Sequence, residues 1–427
     1  MAAACACVAL AAPSTAGAHA SLQTANPGSG RTLSAAPQTL ELAFSEEVIR
    51  RYARVSVLGA HGEDLAGPPR VAGGVVEVPL RPGRRGSYTV RWRMVSSDDG
   101  HASAGAYSFG VQVNPQAPVP VKGLTVPVAP QLLAWLQFLG VVLAGGLLTV
   151  RALVWAPARR VLGDESAPDA TAAIAAAVVG AVLALHAGTI GFLVGAYLVI
   201  GGGFTGFEHA AIEPIRAGTH AGQAWTATTF AWLGVLALLV AAWVTPARRE
   251  TLLACAGISG LAAAFGLSWA SHPSSRGTLA LVADYAHVLA SALWVGGLVA
   301  LVLLARAARS LPPARREAIT RACVLRVSAL AAPAVAVVGA GGVYLALREL
   351  PDPSALVSSH YGITLLAKTG VALGALALGA YHRRFVVPRL AAGTPVATLR
   401  ATLALELGIL LAVLVLAAVL SQSAPPA

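Results

Sequence analysis

Asp99 and His101 flank Gly100 in the run WRMVSSDDGHASAGAYSFG from Trp92 to Gly110, and they put a carboxylate oxygen and an imidazole nitrogen at one point in the chain. Both are metal donors. Asp-Gly also favours a turn, so a plain hairpin tip is the competing reading. The N-terminus tips the balance toward a metal. Residues 2 to 18 are almost wholly Ala, Val, Leu and Cys, and Ala16-Gly17-Ala18 is the small-x-small pattern at which signal peptides are cut. Cleavage there leaves His19 first, whereas cleavage after Ala20 would discard it. A free N-terminal His offers its α-amine and ring Nδ1 as a chelate. With Asp99 and His101 this makes three nitrogens and one oxygen, a donor set that suits square-planar Cu(II).

A second group of chemistry-bearing residues lies in apolar surroundings. Asp284 and His287 are three apart and therefore share a helical face. The Asp is placed either to orient the imidazole or to bind an ion itself. His272 precedes them in Ser271-His272-Pro273, and Trp294-Val295-Gly296-Gly297 follows, with glycines that permit close helix approach. His186, Lys368 and Glu406 also fall inside apolar runs, where an ionisable group is costly and marks a functional site. Structural pairing of Lys368 with Glu406 is the reading for those two.

The elements that must hold these residues follow from periodicity. Leu40, Leu42 and Phe44 alternate, as do Val55 and Val57, then Val76, Val78 and Leu80. Tyr88, Val90, Trp92 and Met94 precede the Asp99 loop, and Tyr107, Phe109 and Val111 follow it. Together they predict an all-β domain of about a hundred residues. His61 decorates a turn. Residues 114–130 carry Pro115, Pro118, Pro120 and Pro127 and read as an extended linker. Eight apolar segments follow near 131–155, 171–200, 223–244, 251–271, 280–305, 327–347, 361–381 and 401–421, each able to span a bilayer as a helix. Fifteen arginines lie in one set of alternate connections, among them Arg151, Arg159, Arg160, Arg306, Arg315, Arg383 and Arg384. Only Arg216, Arg276 and Arg348 lie in the other. The arginine-rich side is expected to be cytoplasmic, with the β-domain and the C-terminus outside. His209, His220, His272 and His360 sit toward the outward connections, and His382 alone at the cytoplasmic face.

Composition agrees with this plan. The 427 residues are 56% hydrophobic and 11% charged, with mean hydropathy +0.70, far below the charge content of a soluble domain. The net charge of +11 belongs to the loop arginines and does not imply nucleic acid. Cys5 and Cys7 leave with residues 1–18, so no disulfide framework is expected in the exported domain. Ala367-Lys368-Thr369-Gly370 lacks the Asp nucleophile of a phosphorylated pump loop, and Gly201-Gly202-Gly203 is followed by no Gly-Lys-Ser/Thr. Neither powers transport, and no enzyme activity is expected.

His19-Ala20-Ser21-Leu22 running to Pro27, with the later Asp-Gly-His and Ser108-Phe109-Gly110-Val111, resembles the copper-resistance CopC family over 19–113. The resemblance implies a cupredoxin-like β-sandwich with His19, Asp99 and His101 as Cu(II) ligands. Ala102 stands where the family usually has Pro. Met94 is the only Met after residue 18, so the family's Met-rich Cu(I) site is absent. The series Ser-His-Pro, Asp-x-x-His, Trp-Val-Gly-Gly and Tyr361-Gly362-Ile363-Thr364-Leu365-Leu366-x-Lys368, closed by Glu406, is similar to the CopD family over 131–421. That implies passage of copper into the cytoplasm through the all-α, eight-helix membrane domain; the outward placing of the histidines predicts its path, lined by His272, Asp284 and His287 with His186 deeper and Glu406 in the last helix. The expected partners are the copper ion and the lipid bilayer; a chaperone or reductase is not named by the sequence. Two rival functions remain: a membrane oxidoreductase using copper or haem, and copper sequestration or sensing without transport.

Overall fold

The structure, a computed structural model, describes residues 21–59, 61–97, 102–118, 128–161, 163, 171–200, 209–350, 352–392 and 400–423. The segment 1–18, His19, Asp99 and His101 lie outside the described residues.

The N-terminal part is a sandwich of two four-stranded sheets. One sheet orders β1 (Leu22–Asn26), β3 (Thr39–Phe44), β6 (Val75–Pro79) and β5 (Arg70–Ala72). The other orders β2 (Thr32–Leu33), β8 (Ala102–Val111), β7 (Gly86–Val95) and β4 (Arg54–Leu58). The alternating residues point inward as their period of two demands. Leu40, Leu42, Val57, Val76, Val78, Tyr88, Val90 and Phe109 are buried between the sheets. Met94 is fully buried among them and is a core residue. His61 is exposed on a turn, its N–H donating to Glu63 Oε2 at 2.9 Å.

β8 begins five residues earlier than the sequence pattern suggests. Ala104, Gly105 and Ala106 carry no alternation because Gly105 is paired with Trp92. A Cβ on Gly105 would stand 2.6 Å from the indole. The ring therefore occupies the side-chain space of the neighbouring strand, and the predicted long loop shrinks to residues 96–101.

Among the described residues eight helices are long and apolar enough to cross a membrane. They are α1 (Pro130–Ala158), α2 (Thr171–Ile200), α4 (His220–Val244), α5 (Arg249–Trp269), α6 (Thr278–Ala307), α7 (Pro313–Glu349), α8 (His360–Tyr381) and α9 (Arg400–Ser421). A shorter helix, α3 (His209–Gly218), lies between α2 and α4. Phe230, Val240, Trp243, Ile258, Val343 and Leu347 are exposed on these helices, the apolar rim that lipid covers.

α7 departs from expectation. It starts fourteen residues before the predicted segment, so Arg315, Arg316, Arg321 and Arg326 lie on helix and not in a loop. Pro313 at its first turn suits a helix start, Arg and Ala favour helix, and Glu317 pairs with Arg321 one turn on at 3.0 Å. Hydropathy finds the apolar part of a helix and misses its charged extension.

The sandwich and the helices touch. Tyr52 and Val95 are buried against Ala196 of α2 and Ile215 of α3, with Ile49 and Phe192 at the edge. The N–H of His220, which opens α4, donates to the carbonyl of Ser97 at 3.1 Å.

Candidate metal sites

The loop 96–101 is fixed at both ends. Val95 pairs with Ala102 across β7 and β8. Ser96 bridges Val48, and the Ser97 N–H donates to Glu47 at 2.9 Å. The segment 45–48 also holds the other end of the chain. Ser45 N–H donates to the Ser21 carbonyl at 2.9 Å, and Ser21 N–H donates to Ser45 Oγ at 3.0 Å. Residues adjoining His19 on one side, and Asp99 and His101 on the other, are thus tied to one short segment at one end of the sandwich. That end carries Val95 and Ser97, which touch the helices.

Beneath it, α6 carries Asp284 and His287 toward two different neighbours. Ser271, just past α5, donates its Oγ proton to the Ser268 carbonyl at 2.6 Å, and the same hydroxyl lies 3.4 Å from Asp284 Oδ2. His287 Nδ1 lies 2.9 Å from the Val338 carbonyl of α7. A carbonyl only accepts, so Nδ1 carries the proton and Nε2 keeps a lone pair. Gly341 and Gly342 face the ring: a Cβ on Gly342 would stand 3.4 Å from Cε1 and one on Gly341 3.6 Å from Nδ1, both in ordinary contact. Val338, and not Asp284, orients the imidazole. Lys368 of α8 acts electrostatically on both Asp284 and His287. Close by, Arg276 pairs with the buried Glu349 at 3.6 Å.

The structure does not bring the other path residues to this group. His186 is exposed on α2 and its Nδ1 bonds the Val182 carbonyl of its own helix at 2.8 Å, so it does not lie deeper on a shared path. His272 opens a one-turn helix, His272–Ser275, and its side chain is outside the described residues. His360 is exposed at the start of α8. Glu406 does not meet Lys368. It is buried against His382, whose Nδ1 is 2.9 Å from Oε2, and Trp294, whose Nε1 donates to Oε1 at 3.3 Å. A separate bidentate pair joins Arg151 of α1 to Glu250 of α5 at 2.5 and 2.9 Å. Sequence spacing could not reveal these pairings, since each joins residues on different helices. Among the described residues no three His, Cys, Asp or Glu side chains converge as a metal cage.

Comparison with known proteins fits both halves of this arrangement. The model of the CopC domain matches residues 22–112, and that of copper resistance protein D matches 321–420. Copper resistance protein C of Pseudomonas syringae pv. tomato is 33% identical over 105 residues, covering 22% of this chain and 82% of its own. This chain is a CopC and CopD fusion of the copper-resistance family. The copper transport protein CutJ of Bacillus subtilis is 26% identical over 430 residues, which span 97% of this chain and 76% of that one. The crystal structure of CopC from Methylosinus trichosporium OB3b is 27% identical, with TM-score 0.21, and covers 24% of this chain and 99% of that one. The CopD match takes in Lys368, His382 and Glu406, while Asp284 and His287 precede it.

Proposed function

We propose that the chain captures Cu(II) outside the cell membrane through His19, Asp99 and His101, and passes copper across the membrane to the cytoplasm. The observation that carries this reading is the hydrogen bond from His220 to Ser97. It ties the root of the loop bearing Asp99 and His101 to the top of α4, which packs on α5, the neighbour of the helix α6 that carries Asp284 and His287. His272 stands at the entrance. Copper entering the path meets the Nε2 lone pair of His287, whose ring is aimed by Val338. Lys368 supplies the counter-charge of Asp284 while no cation is present. The orientation rests on the arginine count, which puts the ends of α1 and α5 that carry Arg151 and Arg249 in the cytoplasm.

Copper uptake into vesicles holding the intact chain, with and without residues 19–113, tests it. Uptake that depends on the chain, and falls at limiting copper when the outer domain is removed, supports transport. Copper binding with no accumulation inside the vesicle would leave sequestration or sensing as the function.

A further inference from the structure

His382 follows Tyr381, the last residue of α8, and opens a π-helical turn, His382–Val386. It is 7% exposed, and its partner Glu406 is 2% exposed. Glu406 accepts from His382 Nδ1 on one oxygen and from Trp294 Nε1 on the other, so carboxylate and ring are both fixed. The ring's other nitrogen, Nε2, is enclosed and has no hydrogen-bond partner among the described residues. No protonation state removes this defect. A neutral ring leaves a lone pair unmet, and a charged ring leaves an N–H unmet. Most buried polar groups are paired; of the buried side-chain atoms without a partner among the described residues, His382 Nε2 is the only imidazole nitrogen, the one whose lone pair suits a metal. The neighbouring arginines do not supply a partner: Arg383 donates to the Ser328 carbonyl and Arg384 lies over Phe385.

We propose that Nε2 of His382 is a copper ligand, with Glu406 as the positioning residue that fixes the tautomer and offsets the ion's charge. An imidazole whose far N–H is held by a carboxylate is the arrangement by which proteins aim histidine at a metal. The site is distinct from Asp284 and His287. Lys368 lies fourteen residues before His382 on the same helix, about 21 Å at the helical rise. It therefore serves the far end of the path, where copper leaves toward the arginine-rich face. That copper is the ion rests on the proposed function; that a ligand meets Nε2 rests on the orphaned nitrogen alone.

The test uses the intact chain in detergent with His19→Ala, Asp99→Ala and His101→Ala, so that the outer side-chain donors do not compete, titrated separately with Cu(I) under ascorbate and with Cu(II). His382→Gln is expected to weaken the remaining binding of one of these ions about tenfold or more, and Glu406→Gln by about ten- to a hundredfold. His382→Cys, which restores a donor but not the bond to Glu406, is expected to recover Cu(I) binding. Unchanged affinity for both ions in His382→Gln, with the thermal transition lowered, would make the pair a structural clamp and overturn the proposal. X-ray absorption needs no further substitution: copper bound to this protein with no imidazole in its ligand shell overturns it equally. Copper binding lost on His382→Gln in a protein that moves no copper would sink transport and leave this site standing. Undiminished binding and uptake would do the reverse.

Discussion

Tyr107 ties the strand after the metal loop to the start of the chain: its buried hydroxyl donates to the Pro27 carbonyl at 2.9 Å. Burial raises its pKa above the usual phenol value. The folded state thus favours the protonated phenol, and the stability this gives is complete below the unfolded value of about 10 and lost as pH rises beyond it. Tyr107→Phe should cost the sandwich about 1 kcal/mol at neutral pH and should flatten the alkaline fall in stability, read by denaturant unfolding of the outer domain at successive pH values. Binding of Cu(II) should behave oppositely: protons compete for the imidazoles, so affinity should decline as pH drops below about 6.5. Replacing Asp99 or His101 with Ala, or acetylating the α-amine of His19, should each weaken Cu(II) binding in a competition titration. N-terminal sequencing that began at Ser21 would remove the amine from the set. Along the membrane path, His287→Ala should abolish copper accumulation with outer-domain binding intact. Asp284→Asn tests a narrower point. Because Val338 orients His287, a loss as severe as that of His287→Ala would mean that Asp284 itself meets copper. The i, i+3 spacing of Asp284 and His287 was legible in the sequence. What each side chain faces was not, because the Ser271 hydroxyl and the Val338 carbonyl come from other elements.

The helices are held by backbones in close approach as well as by side chains. A Cβ on Gly146 of α1 would stand 2.0 Å from the Ala292 carbonyl oxygen of α6, and one on Gly296 would meet the Gly146 backbone at 2.5 Å. Sequence alone marks Gly296 as a contact residue but not its partner Gly146, which lies in a π-helical turn, Val141–Gly146. Either glycine changed to Ala must push the helices apart, at about 1–3 kcal/mol. Thermal unfolding in detergent should show the loss, and a transition unmoved in both variants would contradict the crossing. Gly339, by contrast, meets nothing within 4 Å, so Gly339→Ala is the control expected to leave the transition in place. The eight spans were readable because about twenty apolar residues are needed to cross hydrocarbon. The onset of α7 was not, because its first three turns are polar and are held by helix propensity and the Glu317–Arg321 pair.

At the scale of the whole molecule, two folded units meet through a small apolar patch. Tyr52 and Val95 are its sandwich side, and Ala196 and Ile215 its helical side. Alternation in the sequence ends at Met94, and nothing local says that the next side chain, Val95 at the end of β7, leaves the sandwich core for a helix. Val95→Asp buries a carboxylate against Ala196 and should undock the domain without altering its Cu(II) affinity. Uptake should then fall at limiting copper and recover when copper is abundant; equal uptake at both levels would mean that the patch has no part in delivery. The tether gives this contact a further meaning. Gln116 is still held to the sandwich, its N–H donating to Ser87 Oγ at 2.9 Å, so residues 117–127 form the tether up to Val128 and reach at most about 40 Å. An undocked domain therefore stays within that radius of Val128 at the start of the first span, at an effective concentration in the millimolar range. Re-encounter is unimolecular, so the hand-over rate should be unchanged when the protein is diluted tenfold in the bilayer, whereas a separate carrier protein would slow in proportion.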